Sequence, residues 1–87
     1  MYLVRLVLTN SELPQPGPLE VERILDVLWA HLDPRSGIEH IRARAGTSGI
    51  NIGFFFSGNG SDAETNSVTA IANLLAHIPK WKPEFLP

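Results

Sequence analysis

The chain has 87 residues, of which 44% are apolar and 18% charged; its net charge is −2 and it has no cysteine. That length suits one domain with one modest core, and the composition is that of a folded chain. Without cysteine there is no thiol chemistry, disulfide or zinc–thiolate centre, and the slightly acidic balance disfavours a nucleic-acid partner.

The opening stretch, "MYLVRLVLTN", is apolar but interrupted by Arg5. It lacks the basic start and small-residue cleavage site of a secretory signal. No apolar run approaches the roughly 18–20 residues that span a bilayer. A cytoplasmic protein without a membrane partner is therefore expected.

Residues 2–9 are β-branched and large apolar types on both alternating sets, as in a strand interior to a sheet. The loop "NSELPQPGP" follows, with three prolines and a glycine. Pro18, Glu20 and Glu22 favour a helix start. Val21, Ile24, Leu25, Leu28 and Leu32 then recur at helical spacing, and Asp33-Pro34 stops the element. Residues 39–45 alternate cleanly, with His40, Arg42 and Arg44 on one side and Ile41, Ala43 and Ala45 on the other. "AGTSGI" reads as a hairpin turn into a second alternating strand, Ile50 to Phe56. Val68, Ile71, Ala72, Leu75 and Ile78 predict a second helix, ended by Pro79. The last residues, "KWKPEFLP", are apolar and proline-broken, and are expected to dock in extended form. The division is a single α+β domain over residues 1–80 and an extended apolar tail over 81–87.

The order strand, helix, strand, strand, helix resembles the ferredoxin-like βαββαβ arrangement, with the final strand weak or missing. The resemblance is one of pattern over the whole chain, and no family-specific motif accompanies it. It implies an antiparallel sheet with two helices on one face, the first and third strands central, and the charged second strand at an edge. If the tail leaves the first strand open, its unpaired backbone invites a homodimer or a protein or peptide strand.

Four chemistries compete for the remaining residues. "GFFFSGNGSDAE" places a glycine turn before a helix, as a phosphate cradle does. It lacks the third glycine and the lysine of the known phosphate loops, and Asp62 and Glu64 repel an anion. The better reading is a helix cap, with Ser61 or Asp62 as N-cap and Ser61-x-x-Glu64 as a capping box. Asn59-Gly60-Ser61 reads as a turn, not as a glycosylation site. His31, His40 and His77 are far apart in sequence, so no metal or other cofactor is expected; His31 and His77 suit the last turns of the two helices. An RNA-recognition sheet is disfavoured by the acidity and by the single outward aromatic.

The open sheet face remains as the candidate binding surface, with His40, Arg42, Arg44, Asn51 and Phe55. Trp81, Phe85 and Leu86 form a candidate interface in the tail. The reading is a small non-catalytic binding or accessory module, homodimeric through its open sheet face or a strand edge. The alternative is a small cofactor-independent enzyme or small-molecule sensor, with His40 as base and Arg42 or Arg44 holding an anion.

Overall fold

Ile50–Phe56 form a strand in which every second residue, Ile50, Ile52, Phe54 and Phe56, is buried, while Asn51, Gly53 and Phe55 are only half-buried. In the computed structural model, which describes residues 2–58 and 61–86 and gives only the backbone of residues 61–64, this strand lies inside a four-stranded antiparallel sheet. In chain order the elements are β1 (Tyr2–Thr9), α1 (Pro18–Ala30), a 3₁₀ turn (Pro34–Ser36), β2 (Ile38–Ala45), β3 (Ile50–Phe56), α2 (Ser61–Leu75) and β4 (Lys82–Phe85). The strand order is β2-β3-β1-β4, so β1 and β3 are interior and β2 and β4 are edges. The architecture is α+β, and no helix among the described residues is long and apolar enough to cross a membrane.

The core lies between one face of the sheet and both helices. Leu6 and Leu8 of β1, Ile41 of β2 and the inward row of β3 meet Val21, Ile24 and Leu28 of α1 and Ile71 and Leu74 of α2. Gly17 and Pro18 start α1, and the Gly17 N–H donates to Glu20 Oε2 at 2.9 Å, which satisfies an orphan donor of the first turn. The helix ends at Ala30, so Leu32 contributes from just beyond it. There His31 Nδ1 donates to the Val27 carbonyl at 2.9 Å.

The apolar stripe of α2 differs from the spacing that the sequence predicts. Val68 is 59% exposed and Ala72 is exposed, while Ser67, Ile71 and Leu74 are buried, with Ile78 just past the helix end. A polar residue, Ser67, occupies an inward position, so the apolar pattern points one residue away from the true face.

The tail becomes β4. Lys82–Phe85 pairs with Leu6–Thr9 of β1, and the Leu86 N–H adds a bond to the Arg5 carbonyl at 2.9 Å. Pro83 fits because β4 is an edge strand. The alternation of β2 contains a bulge: Ile38 faces Phe56 and His40 faces the next residue, Phe55, leaving Glu39 outside the pairing. That single extra residue turns Ile38 inward and His40 outward.

Two glycines in and beside β3 have opposite roles. A Cβ on Gly49, at the end of the β2–β3 turn, would lie 2.5 Å from the Leu8 carbonyl oxygen and 3.0 Å from Val7 Cγ1. A Cβ on Gly53 would meet only ordinary contacts, Leu3 Cδ1 at 3.4 Å and Phe55 Cε2 at 3.6 Å. Gly49→Ala is therefore expected to destabilise by about 1–3 kcal/mol through overpacking. Gly53→Ala is expected to gain about 0.4–1 kcal/mol by restricting the unfolded chain. Denaturant unfolding of the two variants checks both signs.

The 3₁₀ turn carries a pH-sensitive contact. Asp33 Oδ1 accepts from the Arg35 backbone N–H at 2.9 Å and from Arg35 Nε at 3.3 Å. The backbone donor first, and the side chain second, hold the Asp33 carboxyl below its ordinary value of 3.8. A lowered folded-state value means that this contact stabilises fully above the unfolded value, and that the contribution is lost as the pH falls through the folded one. Arg35→Ala keeps the backbone donor, so an NMR titration of Asp33 should move only part of the way back to 3.8; a full return contradicts the order of causes.

Candidate functional site

Both helices cover the same face of the sheet, so the opposite face is open. Strand pairing fixes which residues share it. Leu3, Phe55 and His40 form one row across β1, β3 and β2. Arg5, Gly53 and Arg42 form the next, with Leu86 beside Arg5. Val7, Asn51 and Arg44 form the third, extended to Glu84 of β4. His40, Arg42, Arg44, Asn51 and Phe55 thus lie together on this face.

The middle row gives the face its shape. Gly53 has no side chain, and the rows on either side stand above it. The result is a shallow depression of about 550 Å³ whose rim includes Leu3, Arg5, Arg42, Arg44, Phe55 and Leu86. Arg5 and Arg42 flank Gly53 from neighbouring strands, about 10 Å apart at the backbone from a strand spacing of about 4.8 Å. Arg42 and Arg44 are exposed, and among the described residues neither forms an ion pair. Arg5 is engaged within the protein.

An aromatic run borders the depression. The His40 ring lies 5.8 Å from Phe55 and 6.4 Å from Trp29 of α1, both tilted. Its neighbours are rings, and among the described residues no carboxylate is hydrogen-bonded to it. A general base of the usual kind is oriented by such a partner. The groups the face presents are guanidinium donors and π surfaces, which are suited to holding an anion and stacking a ring.

The remaining candidates lie elsewhere. Trp81 packs half-buried against the core. Phe85 pairs opposite Leu6 and is 51% exposed on the helix side, while Leu86 is 41% exposed on the open face. The cap proposed for Ser61, Asp62 and Glu64, and the turn at Asn59-Gly60, lie outside the described residues. His31 and His77, far apart in sequence, stack with ring centroids 3.7 Å apart and planes at 20°, joining the ends of the two helices. Their lone pairs lie in nearly parallel ring planes and do not converge on one ion.

Sequence reasoning did not single out Arg5, Gly53, Leu3 or Leu86 for this face. Arg5 carried a signal, as the one charge in an otherwise apolar strand; Gly53 became legible only through the pairing that places it between two arginines. Because His40 is exposed, His40→Ala is expected to shift stability by less than about 0.5 kcal/mol. It should nevertheless change tryptophan emission, since the ring beside Trp29 is gone; unchanged emission would place His40 away from Trp29 in solution.

Compared with known proteins, the chain matches no protein-family model, no curated protein and no solved structure.

Proposed function

We propose that the protein is a non-catalytic binding module of ferredoxin-like build that works as a homodimer, with the contact at the outer edge of β1. The strand order β2-β3-β1-β4, with two helices on one face, supports the ferredoxin-like reading. The observation that carries the dimer is where the leftover apolar surface collects. Among the described residues, four of the seven exposed large apolar ones, Leu3, Val68, Phe85 and Leu86, line one groove beside Tyr2 and Val4.

The groove has a backbone reason to attract a strand. β4 pairs with Leu6–Thr9, and the Leu86 N–H reaches only Arg5, so the outer edge of residues 2–4 lies beyond its pairing. An unpaired edge beside apolar side chains is what a second strand completes. A second copy fits well. Two-fold pairing of the β1 edges brings the same apolar residues of both protomers together, as a self-complementary contact requires. Clustered exposed apolar surface of this kind marks interfaces.

The non-catalytic half of the reading is supported by the depression on the open face, whose polar side chains are three arginines and an asparagine, with His40 set among rings beside it. Such groups bind and orient a ligand.

Light scattering on the wild-type chain is expected to give twice the mass of one chain. Val68→Lys, on an exposed helix position, should give a monomer with an unchanged circular dichroism spectrum. A monomeric wild type overturns the dimer, and a dimeric Val68→Lys moves the contact away from this groove.

A further inference from the structure

We propose that the depression over Gly53 is a binding site for a small molecule made of a planar ring carrying an anionic group, carboxylate or phosphate. The anion sits between Arg42 and Arg44, and the ring lies against Phe55. The proposal rests on the reading of the chain as a binding module; Arg42, Arg44 and Phe55 lie outside the groove assigned to the dimer, which shares Leu3, Arg5 and Leu86 with the rim of the depression.

Three observations converge. The first is charge. Pairing places Arg5, Arg42, Arg44 and Lys82 on the open face, against Glu84 as the one acid within its paired rows. Four of the chain's seven Lys and Arg residues thus share one face of a protein with net charge −2. Arg42 and Arg44 are exposed without an ion pair among the described residues. Guanidinium groups bind carboxylate and phosphate through paired N–H donors, with more directionality than lysine offers.

The second observation is the bare floor. Glycine in a strand interior weakens the strand and often marks close approach of a ligand. Nothing in the fold calls for glycine here, since a Cβ would meet only ordinary contacts at 3.4 and 3.6 Å. The missing side chain leaves room for a group the size of an oxyanion between the two rows. Asn51, half-buried at the rim, supplies an amide donor next to Arg44.

The third is the aromatic side. Phe55 stands in the row beside Gly53 with His40 at 5.8 Å, while Leu3 completes the apolar wall. A ring laid on Phe55 brings its anionic substituent over Gly53 and within reach of Arg42. An ion without a ring leaves this wall unused, so the site favours the combination. A single-stranded nucleic acid would need a run of aromatics and a basic track, and here one phenylalanine faces one depression.

The experiment is a titration of uniformly ¹⁵N-labelled protein, followed by amide shifts, with phenyl phosphate, benzoate and inorganic phosphate as separate probes. Phenyl phosphate or benzoate is expected to shift the amides of Arg42, Gly53, Asn51 and Phe55. The ring-bearing probe should bind more tightly than inorganic phosphate, and comparison of the two ring probes identifies the anion. Arg42→Gln should weaken binding roughly tenfold, as for loss of one charge-assisted hydrogen bond. Gly53→Val, which fills the floor, should abolish it. Arg23→Gln, on α1, should leave it unchanged, and Gly53→Ala serves as the folded control at the same position.

Shifts spread over Arg23, Lys80 and Lys82, no shift with either ring probe, or tighter binding of a single-stranded oligoribonucleotide overturns the proposal. Unweakened binding by both Arg42→Gln and Gly53→Val does the same. Binding by a protein that scatters as a monomer upholds this site and removes the dimer. Release of phenol from phenyl phosphate by the wild type, lost in Arg42→Gln, upholds the site and overturns the non-catalytic reading.

Discussion

The inward row of β3 is the constraint on which the rest of the molecule depends. Ile50, Ile52, Phe54 and Phe56 are all at most 2% exposed, and Phe54 and Phe56 are the largest fully buried side chains of the core. Among the described residues there are two α-helices with which to cover them. Both must therefore pack on the same side, where Val21, Ile24, Leu28, Ile71 and Leu74 meet the row. Because side chains alternate along a strand, that choice also fixes Asn51, Gly53 and Phe55 on the far side. The open face and its depression are thus the geometric remainder of the core, and the pairing of β1 and β2 with β3 then decides which arginines border Gly53.

The second consequence concerns β1. An interior strand needs partners on both sides, and β3 supplies one along Tyr2–Leu8. On the other side β4 is four residues long and covers Leu6–Thr9. The connection from α2 sets where β4 begins. Ile78 and Trp81 anchor the chain against the core before β4 begins, and the Trp81 N–H donates to the Ile78 carbonyl at 3.0 Å. The strand therefore enters beside Thr9, at the far end of β1, and its described contacts with β1 reach back to Arg5. Apolar residues that a longer partner would cover, Leu3 and Val68 among them, stay exposed.

Much of this layout was legible in the sequence because it rests on strict alternation. Ile50–Phe56 and His40–Arg44 show period-two patterns that only one sheet orientation satisfies, and the apolar run of residues 2–9 marks an interior strand. Other features were hidden for identifiable reasons. Ser67 holds an inward position of α2, and a hydroxyl is invisible to an apolar pattern, which points to Val68 instead. Pro83 disguised β4, since proline is a strand residue only where its missing N–H faces away from the ladder. The bulge at Glu39 leaves no compositional trace and shows only in register. On the candidate surface, the three charged or polar residues of β2 and the outward pair Asn51 and Phe55 followed from alternation. Gly53 and Arg5 did not, because a cavity between strands is a property of pairing across the sheet. The stack of His31 on His77 and the contact of Trp29 with His40 are likewise meetings of distant segments, beyond any local pattern.

Charge is distributed unevenly between the two layers, and this bears on which assemblies are stable. The helix sequences carry Glu20, Glu22, Asp26, Asp62 and Glu64 with Arg23 as their one cation, while the open face carries Arg5, Arg42, Arg44 and Lys82 with Glu84. Such a separation draws small anions toward the sheet face at low salt and weakens within about a Debye length, roughly 8–10 Å at physiological ionic strength. Two copies meeting face to face across a two-fold axis would set arginine against arginine, a contact that repels unless anions fill it. The opposite arrangement, the sheet face of one copy on the helices of the next, attracts but is head-to-tail and need not close. The groove beside β1 avoids both outcomes. It is largely apolar, carries Arg5 as its one charged residue among the described ones, and leaves Arg42 and Arg44 facing solvent. A dimer built there would leave Arg42 and Arg44 available, and the proposed self-association and anion binding would meet along a shared border at Leu3, Arg5 and Leu86.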